Sequence, residues 1–380
     1  MKIALVTDGI YPYVLGGMQK HSYYLAKYFA KFGHQITVYH PIPNGVANYT
    51  QDFTEEELKQ LNFEEVPFPK SDGLPGHYIR CSKQYADLIW EKVKSEPFDF
   101  IYTKGFTGRT LLENKAKLRC PVGVQLHGLE MFQEGGNVKQ WMDKALLKPI
   151  AKKCLQNADV VFSYGGKIRE LTKRLKVSNI ITQHGCANDF WLRPVNQAKS
   201  FDNSILFVGR YEHRKGHHLI NDVIPKLNEE FNLKMVGDVP KQKQIENPNI
   251  QYIGNKTAEE VFELAQESTF LLTPSLAEGF PTIIVEAMAQ GVIPIATNVG
   301  AVEEIVNEEN GVLFEPHSAD ELENAIQKAL SLPIDQRKQC SNAARVQVEE
   351  HFNWENSAAK LLSQIEKFCD SWKRTHSSNH

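Results

Sequence analysis

Short apolar runs alternate with stretches of helical periodicity along almost the whole chain. The apolar runs are too short for helices and carry few charges, which is typical of strands buried on both faces. In the first half the pattern predicts strands at Lys2–Thr7, Gln35–His40, Phe98–Tyr102, Val122–Leu126, Asp159–Phe162 and Ile180–Thr182. In the second half it predicts strands at Ile205–Val208, Leu233–Val236, Ile250–Ile253, Thr269–Leu272, Ile293–Ala296 and Val312–Phe314. Helical periodicity falls between the strands, for example at Gln19–Phe32, Lys139–Gln156 and Ile168–Leu175.

This alternation predicts the fold class and the domain organisation. Buried strands separated by helices form parallel sheets that helices cover on both faces. The pattern breaks in a polar, aperiodic segment near Leu192–Asn203, which is typical of a linker. The sequence therefore predicts an α/β protein with two doubly wound, Rossmann-like domains at 1–192 and 203–352. A helical tail follows at 353–380, and we expect residues 375–380 to fray.

Composition narrows the class of protein. The chain has 380 residues and a net charge of −3, which argues against nucleic acid as a partner because phosphate binding needs a basic excess. Its six cysteines are scattered without a Cys-x-x-Cys pair, which indicates reduced thiols and a cytosolic protein. The first residues lack the apolar core of a secretory signal, and Glu286 and Gln290 interrupt the longest apolar stretch. We expect a cytoplasmic protein, either soluble or peripherally attached at the inner face of a membrane.

One stretch is strongly basic. Residues 139–176 contain ten Lys or Arg residues against three acids, a net charge of +7. Trp141, Leu146, Leu147 and Ile150 recur there at helical spacing. One interpretation is a helix with its apolar face in the core and its lysines in water. The other is a surface attracted to anionic lipid.

The first predicted strand leads into a loop that ends in Gly16-Gly17, before a helix begins near Gln19. In open α/β sheets, ligands bind at the carboxyl ends of strands against helix N-termini. Two adjacent glycines let the main chain approach a ligand without a Cβ in the way. Pairs of glycines more often form plain turns, and neither a Gly-x-Gly-x-x-Gly nor a Walker A motif is present.

The first predicted strand of the second domain also leads into a loop, and this loop carries charged residues. Strand Ile205–Val208 is followed by Gly209-Arg210-Tyr-Glu-His-Arg-Lys215-Gly216. A lysine at a helix start opposes the macrodipole, so the arrangement favours an anion bound between Arg210 and Lys215. An arginine can hold two phosphate oxygens, and a lysine acts as a point charge. An ordinary charged loop is the alternative. The nearby His213, His217 and His218 are expected to be solvated.

Two acids frame the next motif, Glu278-Gly-Phe-Pro281-Thr-Ile-Ile-Val-Glu286. Pro281 suits position N1 of a helix over 281–290, and Gly291 suits its C′ position. That helix would direct the N–H groups of Thr282 and Ile283 at a ligand. Glu286 would then reach vicinal hydroxyls of a sugar ring, and Glu278 would lie beyond the phosphates. Two acids beside a diphosphate are tolerable only if they face hydroxyl groups and the cations compensate them.

Together, these motifs resemble the retaining glycosyltransferases of family 4, whose two domains face each other across a cleft in the GT-B architecture. The Glu278 to Glu286 stretch resembles the family's Glu-x7-Glu signature, and Gly209-Arg210 with Lys215-Gly216 resembles its Gly-Arg and Lys-Gly element. Gly16-Gly17, followed by Gly33-His34, is similar to the family's opening. The resemblance runs to about Trp354, and the tail resembles the helix that crosses back onto the first domain.

The resemblance implies a role for each matching residue. Gly16 and Gly17 would admit the diphosphate, Arg210 and Lys215 would neutralise it, and Glu286 would hold the ribose. The donor sugar would contact Glu278, His127 and the main chain of Gly279 and Phe280, next to the helix start at Pro281, Thr282 and Ile283. Ile253 and Lys256 would lie near the base. Catalytic roles are expected for Glu278, His127, Arg210 and Lys215.

The implied reaction moves a hexosyl group from a nucleoside diphosphate sugar, with UDP-sugars favoured, to a glycan or lipid-linked acceptor. No cofactor or metal is expected, since no Asp-x-Asp motif and no ligand cluster is found. The family's Asn-Gly-Val-Asp turn is replaced here by His184-Gly185-Cys186-Ala-Asn188-Asp189, which puts the role of this turn in doubt. Two alternatives stay open: a sugar-nucleotide epimerase or phosphorylase on the same architecture, and a non-catalytic subunit that binds nucleotide-sugars. The sugar and the acceptor are not identified by the sequence.

Overall fold

A computed structural model describes residues 1–14, 16–42, 48–71, 73–74, 76–133, 138–195, 199–316 and 318–376, with the main chain alone for 50 and 138–141. The described part contains thirteen strands, numbered β1 to β13. They are Lys2–Val6, Gln35–His40, Leu61–Glu65, Phe100–Lys104, Val122–Gln125, Val160–Ser163, Ile180–Thr182, Ser204–Val208, Asn232–Val236, Ile250–Gly254, Phe270–Thr273, Ile293–Thr297 and Val312–Phe314.

Thirteen helices, α1 to α13, accompany these strands in the described part. They are Gly17–Lys31, Tyr49–Asp52, Glu55–Leu58, His77–Val93, Arg109–Glu113, Val138–Asn157, Gly166–Arg174, His217–Val223, Ala258–Glu267, Thr282–Met288, Ala319–Leu330, Ile334–His351 and Trp354–His376. All six cysteines lie in described segments and are unpaired.

The strands form two parallel sheets, and each sheet has the doubly wound order. The first sheet runs β3-β2-β1-β4-β5-β6-β7, and the second runs β10-β9-β8-β11-β12-β13. In each sheet the strand order reverses beside the first strand, between β1 and β4 and between β8 and β11. The expectation of two Rossmann-like α/β domains is therefore confirmed. The boundaries at 192 and 203 stay predictions, and residues 196–198 of the linker lie outside the described segments.

Twelve of the thirteen strands in the described part overlap the predicted apolar runs, and β3 is the strand that the prediction lacks. Strand β3 pairs only with β2, at the edge of the first sheet. Its sequence, Leu-Asn-Phe-Glu-Glu, has no fully buried residue. An edge strand needs no continuous apolar run, because one side of its ladder faces solvent. The region 41–78, which carried no motif, also folds into the short helices α2 and α3.

The last helix belongs to the second half by sequence and to the first domain by packing. Trp354 stacks on Tyr24 of α1, with the ring centroids 5.3 Å apart. Leu361 and Ile365 of α13 are buried in the same apolar cluster as Ile3 of β1. The helix continues through His376, residues 377–380 lie outside the described segments, and the expected fraying of 375–380 stays a prediction.

A second contact between the domains caps helix α7. The Gly166 N–H at the start of α7 donates to Glu304 Oε1 of the second domain at 2.7 Å. The other carboxylate oxygen of Glu304 lies 3.5 Å from His184 Nε2. A carboxylate at a helix N-terminus accepts from amides that have no intrahelical partner and opposes the macrodipole. The turn of uncertain role therefore lies at the contact between the domains.

Within the described residues, no helix is both long and apolar enough to cross a membrane.

Candidate active site

The two sheets face each other across a cavity of about 800 Å³ at the carboxyl ends of their strands. On the first-domain side it is lined by residues that follow β4, β5, β6 and β7, and on the other side by residues that follow β8 and β11. Ligands of open α/β sheets bind in such a crevice, at the point where strand order reverses. A second cavity, of about 460 Å³, lies at the amino ends of β1, β2 and β3. That end of a parallel sheet is not where such ligands bind.

The second-domain wall of this cavity carries a cluster of cations. Arg210, Arg214 and Lys215 all line it. Gly216 ends their loop with a φ of 75°, and a Cβ there would lie 2.0 Å from the Pro274 carbonyl oxygen. Only glycine fits this approach, which brings the loop against the segment leading to Glu278. The Leu276 N–H completes the contact by donating to the Arg214 carbonyl at 2.7 Å.

Glu278 holds two of these cations. Lys215 Nζ donates to Glu278 Oε1 at 2.6 Å, and Arg214 Nη1 lies 3.6 Å from Glu278 Oε2. Arg210 is not bound to Glu278: its side chain is 78% exposed, and its Nε pairs with Glu212 at 3.1 Å. The sequence analysis gave Arg214 no role. Its position beside Lys215 in the motif was the available signal, but only the contact with Glu278 reveals that it faces the cavity.

Glu286 enters the cavity from helix α10. Burial raises the pKa of its carboxyl, and the charge of Lys20 on α1 opposes that rise. Lys20 also lines the cavity from the first domain. The two acids of the motif therefore share one cavity, but they face different cations: Glu278 faces its own domain, and Glu286 faces the opposite wall.

The start of α10 differs slightly from the prediction. The helix begins at Thr282, so Pro281 occupies the N-cap position and not N1. It ends at Met288, and Gly291 adopts a φ of 66° two residues beyond the C-cap Ala289. The loop and first turn still face the ligand space as expected, since Gly279, Phe280, Pro281, Thr282 and Ile283 all line the cavity.

The main chains of the two walls touch at a pair of glycines. A Cβ on Gly128, after β5, would lie 2.9 Å from Gly279 Cα, and a Cβ on Gly279 would lie 2.7 Å from Gly128 Cα. Gln133 bridges the two loops by donating to the Gly128 and Glu278 carbonyls at 2.5 and 2.8 Å. Any side chain at either glycine would push the walls apart.

His127 projects from the same first-domain loop. Its main chain has a φ of 54°, a left-handed conformation that is strained for histidine. Its Nδ1 is hydrogen-bonded to the Tyr164 hydroxyl at 2.6 Å, and within the described part of the chain its buried Nε2 has no partner. Burial holds the pKa of His127 well below its usual range, and the nearby Lys104 lowers it further. The ring is therefore neutral near pH 7, with one nitrogen free to bond a ligand in the cavity.

Below His127 lies a buried polar network that the sequence analysis did not anticipate. Lys104 at the end of β4 is fully buried, and its Nζ contacts His21 Nδ1. Gln183 Nε2 lies 3.0 Å from the other nitrogen of His21, and Gln183 Oε1 lies 2.5 Å from the Tyr102 hydroxyl. Burial lowers the pKa of both Lys104 and His21. These residues are far apart in the sequence, so no local spacing could signal the network.

Other predicted positions fall outside the cavity lining. Gly17 lines it and has no neighbour within 4 Å of an added Cβ, whereas Gly16 is absent from the lining. Ile253 packs against the second-domain core, and Lys256 pairs with Glu260 on the surface at 2.8 Å. Their proposed contact with the base stays a prediction.

Two other expectations concern the histidines that follow β8 and the presence of a metal site. His217 is buried and its Nε2 lies 3.1 Å from the Arg210 carbonyl oxygen, so the expectation that it is solvated is wrong. The reason is that the apolar face of α8 turns His217 against the ring of Phe207. Within the described residues, no group of three His, Cys, Asp or Glu side chains is arranged to hold a metal ion.

Comparisons with known proteins agree with this geometry. Residues 15–184 match the family model described as Glycosyltransferase Family 4, and residues 191–347 match that of Glycosyl transferases group 1. An uncharacterized glycosyltransferase of Methanocaldococcus jannaschii is 26% identical, with 97% of this chain and 99% of that protein covered.

Solved structures share the fold. Sucrose-phosphate synthase from Thermosynechococcus elongatus superposes with a TM-score of 0.80 at 18% identity, covering 97% of this chain and 99% of that one. The Anabaena protein HepE, in complex with UDP and glucose, superposes with a TM-score of 0.67 at 16% identity, covering 97% and 100%. With both domains matched and the GT-B fold in place, the chain belongs to the family 4 type of glycosyltransferases.

Proposed function

We propose that this glycosyltransferase moves a sugar from a nucleoside diphosphate sugar, UDP-linked in the first instance, to an acceptor hydroxyl during glycan or glycolipid synthesis. We propose further that the reaction retains the anomeric configuration and needs no metal ion. The observation that carries the proposal is the clustering of Arg210, Arg214 and Lys215 with Glu278 in one interdomain cavity. The occurrence of UDP in the HepE complex supports the choice of base.

The cations serve the departing diphosphate. As the bond between the anomeric carbon and the phosphate oxygen breaks, negative charge accumulates on the diphosphate and positive charge on the sugar. A preorganised donor aimed at such a charge lowers the barrier by about 3 kcal/mol. Lys215 is preorganised by its 2.6 Å bond to Glu278. The exposed Arg210 can swing onto the phosphates, where its guanidinium bonds two oxygens at once.

Retention needs the acceptor to attack from the face that the diphosphate leaves. The acceptor oxygen forms the new bond to the anomeric carbon, and its proton passes to the departing phosphate oxygen. No protein nucleophile is assigned. Glu278 and the neutral His127 are positioned to bond sugar hydroxyls, and Glu286 to bond the ribose. Because Nε2 of His127 is buried and no described residue bonds it, a ligand hydroxyl there would satisfy this nitrogen.

Donor choice and reaction type are testable together. The folded protein is screened with UDP-, GDP- and ADP-sugars for a rise in melting temperature, since a ligand that binds the native state stabilises it. The best donor is then incubated with acceptors in EDTA, and the anomer of the product is read by NMR. We expect a UDP-sugar to stabilise the protein and to give a product of unchanged configuration. Inversion of the anomer, a requirement for added metal, or conversion of the donor to its epimer without acceptor would each contradict the proposal.

We also propose peripheral contact with an anionic membrane surface, at the cytoplasmic face, through α6. Met142 and Leu146 of this helix are 57% and 50% exposed, and Lys148 and Lys152 beside them are exposed as well. The side chains of Lys139 and Trp141, which belong to the predicted surface, lie outside the described part. Sedimentation with vesicles tests the contact: binding should require phosphatidylserine, weaken with salt, and fall in Met142→Asp. Equal binding to neutral vesicles would exclude it.

A further inference from the structure

The first-domain wall of the cavity is apolar where the second-domain wall is charged. Its apolar side chains include six hydrocarbon, aromatic or thioether groups from α1, α4, α6 and the loops after β4 and β5. They are Met18, Tyr78, Phe106, Leu129, Met131 and Leu147. This set is called the apolar wall below.

The aromatic part of the apolar wall consists of Tyr78 and Phe106, which both line the cavity. Tyr78 and Phe106 meet edge to face, with ring centroids 6.2 Å apart. The residue Tyr78 is 39% exposed, but burial raises the pKa of its hydroxyl and the charge of Asp8 raises it further. Part of the Tyr78 side chain is therefore available to a ligand in the cavity.

Polar groups on this side of the cavity are already engaged or face the other domain. Both ring nitrogens of His21 have partners in Lys104 and Gln183. The charge of Lys20 acts on Glu286, and that of Glu130 acts on Arg214. His127 offers a buried nitrogen, Nε2, that has no partner among the described residues, and it lies next to the Gly128–Gly279 contact.

We infer that the acceptor is an amphiphile: its hydroxyl enters beside His127, and an apolar group attached to it packs on the apolar wall. This inference rests on the proposed function, because it assumes that the donor occupies the cationic wall. A purely carbohydrate acceptor would need side-chain partners for its many hydroxyls, and burying those hydroxyls against carbon surface without partners is unfavourable. An alkyl chain or an aromatic ring gains from the same surface, about threefold in affinity for each methylene removed from water.

The test uses the full chain saturated with UDP and a series of sugars that differ in the attached group. Calorimetry compares glucose and maltose with butyl, hexyl and octyl glucosides, all below their micelle concentrations, and with phenyl glucoside. We expect the Kd to fall by about threefold per methylene and both sugars without an apolar group to bind much more weakly. Tighter binding of phenyl than of hexyl glucoside would show that the apolar group of the acceptor is an aromatic ring. The reverse order would show that it is an alkyl chain. A Kd independent of chain length, or tighter binding of maltose than of octyl glucoside, would overturn the inference.

A matched pair of variants locates the binding. Leu147→Asp places a charge on the apolar wall and should weaken octyl glucoside binding at least tenfold while the Kd of UDP is unchanged. Leu88→Asp makes the same change on the outer face of α4, where the leucine is 43% exposed, and should leave both affinities as they are. If Leu147→Asp does not fold, Tyr78→Ser replaces it. An unaltered glucoside affinity in the folded wall variant would refute the assignment, whereas a failure of UDP to bind the unaltered protein would refute the proposed function instead.

Discussion

The two walls of the cleft handle polarity in opposite ways. On the second-domain wall, charged groups lie at the cavity surface and pair with one another, as Lys215 does with Glu278. On the first-domain wall, polar groups such as Lys104 lie beneath the surface in a buried network, and the surface itself is largely apolar. One side is therefore suited to stabilise charge as it develops, and the other to accept a partner with little charge. Four predictions test this contrast.

The largest effect should come from the charged wall. Lys215→Ala removes the best-positioned cation, and we expect kcat to fall by about 100-fold or more, as for the loss of one preorganised donor. Glu286→Ala should mainly weaken donor binding. Lys234→Ala is the matched control, because that lysine pairs with Glu267 on the surface at 3.0 Å. Transfer rates with the donor identified by screening give the measurement, and full turnover by the Lys215 variant would disprove the site.

Separating the walls should have the next largest effect. Gly128→Ala places a methyl group within 2.9 Å of Gly279 Cα, and the walls must move apart to accommodate it. We expect transfer to fall by about 10- to 100-fold, because small misplacements of reacting groups are costly. The Kd of UDP and the urea midpoint should change little, since the clash lies between the domains. An activity equal to that of the unaltered protein would show that the walls need not touch.

The buried network should make stability depend on pH. Burial holds the pKa values of His21 and His127 well below 6.5, so below pH 6.5 the unfolded chain binds protons that the folded chain excludes. The stability is therefore complete above pH 6.5 and is lost as the pH falls, by up to about 1.4 kcal/mol per pH unit for each histidine.

Urea unfolding at pH 7.5 and 5.5 measures that loss. His127→Gln should make the fall in stability smaller, whereas His351→Gln, on the surface, should not. A fall of the same size in both variants would show that other groups govern the acid sensitivity.

The smallest expected effect is a loss of stability when the hydrogen bond between Gly166 and Glu304, outside the cavity, is removed. Glu304→Ala removes the acceptor of the Gly166 N–H and should lower the free energy of unfolding by about 1 kcal/mol, the usual contribution of an N-cap. Glu308→Ala, at an exposed neighbouring position, is the control. Chemical denaturation distinguishes them, and equal midpoints would mean that solvent replaces the capping carboxylate at no cost.

Sequence patterns predicted what depends on local order. Buried strands such as β5 and β12 are visible in the sequence as apolar runs. The motifs around Lys215 and Glu286 are contiguous, so the sequence predicts them as well. The sequence does not predict strand β3, because its Glu-Glu end and its partly exposed residues give no continuous apolar run. Pro281 was assigned to N1 when it is the N-cap, a difference of one residue that periodicity does not resolve.

Contacts between distant segments were beyond the reach of these patterns. The Lys104 and His21 contact joins residues 83 positions apart, and the role of Arg214 depends on a carboxylate 64 positions later. The apolar wall likewise assembles from five separate elements of the first domain. Such sites arise from topology, because parallel strands bring their carboxyl ends to one edge whatever the spacing between them.

Helix α13 has a consequence for any attempt to divide the protein. A cut in the linker would leave the first piece with an uncovered apolar face, at Tyr24 and the strands beneath, and the second piece with a dangling helix that fits that face. Two such fragments, produced together, should recognise each other and rebuild the whole enzyme. The chain is therefore suited to a split reporter whose reassembly is read as sugar transfer.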